Sequence, residues 1–180
     1  MANTNAPFGL RPTMRTLQGA AGACIPCHKL VGYGTALFIN DAVTHAASGT
    51  KNTVAIDAGI TPGTTPVAGV NLIYGAALLA TDHLMVDAQN SIFVTQGDGT
   101  GATYLVAASL NKNANLALTA GNTGTKISKH ELSETSINTT STLDLRVRGL
   151  YQIQGNAVGQ YAQVFVTFNN LVDANQVAGI

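Results

Sequence analysis

Over residues 142–153 apolar and polar side chains take turns. Leu143, Leu145 and Val147 fall to one side of an extended backbone, and Asp144, Arg146 and Arg148 fall to the other. A period of two does not suit a helix and calls for a sheet with one covered face. Residues 161–168 make the same demand more strongly. Ala162, Val164, Val166 and Phe168 share one side, and Phe165 makes the opposite side apolar too. A strand apolar on both sides is either central in a sandwich or lies at a subunit contact.

Shorter runs of the same kind precede these two. Residues 36–39 are apolar and stop at the turn-favouring pair Asn40-Asp41. Val54 and Ile56 alternate with Ala55 and Asp57 after a turn over residues 48–52. Residues 67–70, 83–86 and 91–96 read as strands, the last rich in β-branched and aromatic residues. Leu116 and Leu118 mark a brief one. Pro62-Gly63 and the cluster from Gly97 to Gly101 break the chain between them. One departure falls at residues 104–110, where Leu105, Ala108 and Ser109 share a helical face and Thr103 is placed to cap a short helix. Residues 126–134 are polar and predict an edge strand or exposed loop. The sequence therefore predicts a mainly β fold, a β-sandwich or barrel with a jelly-roll-like order among the options, and at most one short helix.

The front of the chain differs. Pro7, Gly9 and Pro12 surround Phe8, Leu10 and Arg11. Proline fixes φ and pushes its predecessor toward extended geometry, so this stretch is an extended arm. The expected organisation is an arm and lead-in over residues 1–30, then a single β domain over 31–180 ending in an extended tail. Phe8 and Leu10 are candidate apolar anchors, and Arg11 a charged one, for whatever the arm lies on.

Only 10% of residues are charged, against about 25% in ordinary globular domains, and the formal net charge is zero. So few charges suit a surface largely covered by other subunits. They do not suit bulk binding to nucleic acid, which needs clustered Lys and Arg. No apolar run reaches the roughly 18 residues of a membrane span. Residues 1–5 lack the basic and apolar regions of a secretory signal, so none is expected.

Catalytic arrangements are missing from the pattern. His28, His45, His83 and His130 stand apart, and Asp82-His83 reads as a solvated turn. Glu131 and Glu134 are candidate paired carboxylates in a polar stretch that favours a solvated edge. Cys24-x-x-Cys27-His28 matches a haem-attachment pattern, which needs two thiols and an axial His in that order. It also matches half of a zinc site, but no second pair closes the tetrahedron. Arg146 and Arg148 form the one close basic pair. They are either a solvated face with Asp144 as partner or a patch that meets an acidic neighbour.

Residues 2–12, Ala-Asn-Thr-Asn-Ala-Pro-Phe-Gly-Leu-Arg-Pro, resemble the opening of a family of tailed-bacteriophage virion structural proteins related to head cement or decoration proteins. The likeness continues through residues 35–43, 113–116 and 139–150. It does not extend to Cys24 and Cys27 or to residues 61–84. The resemblance implies a non-enzymatic protein without cofactor, made in the host cytoplasm and carried on the capsid surface of the virion. Its partners would be the major capsid protein and copies of itself, a homotrimer in preference to a dimer, with no direct nucleic acid and no membrane. The partner-binding residues would be Pro7, Phe8, Gly9, Leu10, Arg11 and Pro12, with Arg146 and Arg148. A tail or head-fibre component is the alternative from the same class, and a small haem or zinc protein built on Cys24, Cys27 and His28 the alternative from another.

Overall fold

In the computed structural model the described residues are 3–16, 24–30, 33–46, 54–79, 81–100, 105–172 and 179. The strands in the first half are β1 (Arg11–Thr16), β2 (Cys24–Lys29), β3 (Ala42–His45), β4 (Val54–Asp57), β5 (Gly69–Asn71) and β6 (Thr81–Asp87). They are followed by β7 (Ser91–Gln96), β8 (Asn113–Ala114), β9 (Leu116–Ala117), β10 (Glu131–Leu132), β11 (Leu145–Leu150) and β12 (Gln163–Phe168). The fold is mainly β, as the alternation predicts.

Two bodies of sheet share the strands. One is an antiparallel sheet in the order β1-β7-β12-β11-β8. The other is a closed five-stranded barrel, β2-β4-β3-β5-β6, in which only β2 and β4 run parallel. A small pair, β10-β9, lies beside them.

The period of two decides which core each residue joins. In the sheet, Leu145, Val147, Val164, Val166 and Phe168 point inward, and Phe93 meets Phe168 edge-on with ring centroids 5.2 Å apart. In the barrel, Val43 and Met85 point to its interior with Cys27, Leu37 and Ile56. Their neighbours Ala42 and Val86 point out and join the sheet's core. One barrel wall thus serves two hydrophobic clusters and ties the bodies together.

Several expectations are corrected. The short helix is a single 3-10 turn, Ala107–Ser109, and Thr103 and Tyr104 lie outside the described residues. The turn over residues 48–52 also lies outside them. Residues 1–30 are not all arm: β1 pairs with β7, and β2 is a wall of the barrel. Pro12 is tolerated because β1 is an edge strand, where a missing N–H costs no ladder bond on the open side. Asp144 does not point to solvent. It is fully buried and accepts hydrogen bonds from Leu116 N at 3.0 Å and Gly63 N at 2.8 Å. Asp82 and His83 lie on β6 rather than a turn, and the buried His83 ring bonds Asn71 Oδ1 and Thr81 Oγ1, each at 2.7 Å.

Candidate functional site: an arginine and aromatic face

The arm crosses its own chain before it becomes β1. The Asn3 side chain donates to the carbonyls of Ala157 and Gln160, each at 2.8 Å. Ala6 N donates to Gln96 Oε1 at 3.2 Å. Leu10 N donates to Asn40 O at 2.9 Å, and Asn40 Nδ2 donates back to Phe8 O at 2.9 Å. Gly9 makes this docking possible. Its φ is +74°, and a Cβ there would sit 2.5 Å from both Asn40 O and the Ser128 Cβ. Leu10 is fully buried in the main core, so this expected anchor holds the chain to itself. Phe8 and Pro7 stay half-buried and Arg11 exposed.

Arg11 then opens one face of the sheet. It stands opposite Val94 on β7, which stands opposite Phe165 on β12, which stands opposite Gly149 on β11. Residues directly opposite share a face. The guanidinium of Arg11 lies 5.1 Å from the Phe8 ring centroid and 5.6 Å from that of Tyr151. Such stacking favours a planar cation. Tyr151 in turn meets Phe165 edge-on at 5.2 Å. Arg11, Pro12, Thr13, Val94, Tyr151, Gln152 and Phe165 line an open groove of about 490 Å³. Gly149 adds no side chain to crowd it.

Arg146 and Arg148 reach the same face from β11. Arg146 stands opposite Thr167, two residues from Phe165 on β12. The register slips between Val147 and Gly149, leaving Arg148 as the extra residue of a bulge. Its Nε donates to Thr167 Oγ1 at 2.9 Å. Burial, and then the charge of Arg146, pull the Arg148 guanidinium below its usual range. Arg146 Nε is shielded from water and has no hydrogen-bond partner among the described residues. Among those residues no carboxylate pairs with Arg11, Arg146 or Arg148. The face thus gathers Phe8, Arg11 and Pro12 with Arg146 and Arg148, and leaves Leu10 beneath it.

The cysteine motif is taken apart by strand geometry. Cys24 is exposed on β2 and Cys27 is buried in the barrel, three residues on and therefore on the opposite side. Burial pushes the Cys27 thiol up to about 11. No three His, Cys, Asp or Glu among the described residues are arranged to hold a metal.

A second cluster was not legible as such. Glu131 and Glu134, expected on a solvated edge, are 9% and 0% exposed. Gln96 Nε2 donates to Glu131 Oε1 at 3.3 Å and to Asn5 Oδ1 at 3.2 Å, so the cluster also touches the arm. Asp98 Oδ1 accepts from Glu134 N at 3.2 Å. Burial first, and the charge of Asp98 among the further causes, raise both glutamates to about 7. The sequence places Phe165 on the side of its strand opposite Val164 and Val166, but nothing in it pairs that ring with Tyr151 or Arg11.

Fold and face together define a mainly β protein with a cationic, aromatic sheet face and no assembled catalytic group among the described residues. No family model matches the chain, and searches of curated proteins and of solved structures found no match either.

Proposed function

We propose that this chain is a structural virion protein that binds the outside of a phage head and reinforces contacts between major capsid subunits. The observation that carries the reading is the collection of Arg11, Arg146 and Arg148 with Phe8, Tyr151 and Phe165 on one sheet face, with no carboxylate paired to the arginines among the described residues. Aromatic residues and arginine are the types most enriched where interfaces bind tightly. The resemblance of residues 2–12 to head cement proteins points the same way, and those residues lead directly into the face. Adjacent Leu78 and Leu79, 62% and 60% exposed, add apolar surface of the kind an assembly covers. A homo-oligomer that engages several capsid subunits gains avidity through effective concentration, so each single contact can be weak.

The test is co-sedimentation of the purified chain with phage heads that lack it. The reading expects saturable binding and heads more resistant to heat. Heads that neither bind the chain nor gain resistance would overturn it.

A further inference from the structure

We propose that the sheet face receives an acidic segment of a partner protein, its carboxylates on Arg11, Arg146 and Arg148 and one apolar side chain in the groove against Tyr151 and Phe165. The inference rests on the cement reading and adds the chemistry of the partner to it.

The sequence balance of nine basic and nine acidic residues hides a surface that is not balanced. Among the described residues Asp41, Glu131, Glu134 and Asp144 are buried, against Lys29 alone of the basic ones. Among the described residues the outside is therefore more positive than the formal charge suggests, and the three arginines whose side chains are described, Arg11, Arg146 and Arg148, all stand on this one face. Charge complementarity then selects an acidic partner.

The geometry narrows the choice further. Arg11 is held between two rings and makes no side-chain hydrogen bond among the described residues, so its planar fork is free to take a carboxylate in bidentate fashion. Arg146 is half-buried and pairs with no carboxylate among the described residues, so its guanidinium is a second cation left for a partner to neutralise. The backbones of Arg11 and Gly149 lie three strand spacings apart, roughly 14 Å. An extended chain covers that span in about four residues, and side chains four apart on a strand share a face. Two carboxylates at such spacing, with an apolar residue between them, fit the two cationic ends and the groove. A nucleic acid fits less well, because a phosphate backbone needs a longer basic track than three arginines around an aromatic groove.

The test uses the full chain and a labelled synthetic peptide with two Glu four residues apart flanking a Leu. The controls are the same peptide with Gln for Glu, and a single-stranded oligonucleotide. The proposal expects the Glu peptide to bind, to weaken with added salt, and to bind about tenfold more weakly to Arg11→Gln and to Arg148→Gln. Both positions are exposed, so the substitutions leave the fold in place. Equal binding to the variants, or tighter binding of the oligonucleotide to the same face, overturns it. Head binding by the same variants separates the two readings. Heads that bind wild type and variants alike overturn the acidic partner and keep the cement function. Peptide binding without head binding supports the acidic partner and overturns the cement function.

Discussion

Replacing Glu134 with Gln should make the protein more stable at alkaline pH and leave it unchanged in acid. Glu134 is fully buried, and its carboxyl is raised from 4.5 to about 7 by burial and by Asp98. A carboxyl with a raised folded-state value favours folding while protonated. That contribution is fully present below pH 4.5 and is lost as the pH rises through about 7. The span corresponds to about 3 kcal/mol for this one group. Glu131 behaves alike, and because Glu134 contributes to its shift the two losses do not simply add. His83 and His130, pushed below their usual range by burial, act in the opposite direction below pH 6.5. They are common to wild type and variant, so the difference between the two proteins isolates the glutamate. Chemical denaturation across the window should show equal stability near pH 4.5 and an advantage for Glu134→Gln of about 3 kcal/mol near pH 8. Parallel curves, or a variant less stable near pH 8, would refute the reasoning.

Other substitutions probe the docking of the arm. Gly9→Ala places a Cβ against Asn40 O and Ser128 in a backbone region that side chains avoid, and should lower stability by at least about 1–3 kcal/mol in thermal unfolding. Leu10→Ala should cost about 2–5 kcal/mol, since the side chain fills the main core. For the same reason deletion of residues 2–12 should destabilise the β domain itself, read as a lower unfolding midpoint. A thiol reagent should label the exposed Cys24 in the native protein and reach the buried Cys27 only after unfolding, as mass spectrometry of the two peptides would show.

What the sequence disclosed and what it hid follow from the range of the interactions. The alternation through β11 and β12 needs only neighbours, so the inward set of Leu145, Val147, Val164 and Val166 was readable. Asp144 sits in the same alternation yet turns inward, because its carboxylate is held by Leu116 and Gly63, far away along the chain. Glu131 and Glu134 misled for a similar reason: a polar stretch reads as solvated until Gln96 and Asp98 are brought beside it. The sequence predicts a sandwich or barrel, but not which strands close the barrel. Its strands β3, β4 and β5 are only three or four residues long, and its parallel pairing of β2 with β4 leaves no local trace. Of the face, Arg146 and Arg148 were legible from one strand. Their meeting with Arg11, Tyr151 and Phe165 depends on strand order, which periodicity does not encode.

On the proposed function, this face is the one turned toward the capsid. A density map of phage heads carrying the chain tests it directly. The expected result is Arg11, Arg146 and Arg148 lying against carboxylates of the major capsid protein, with the groove beside Tyr151 filled. Heads on which that face looks out to solvent, or heads that carry no density for the chain, would contradict it.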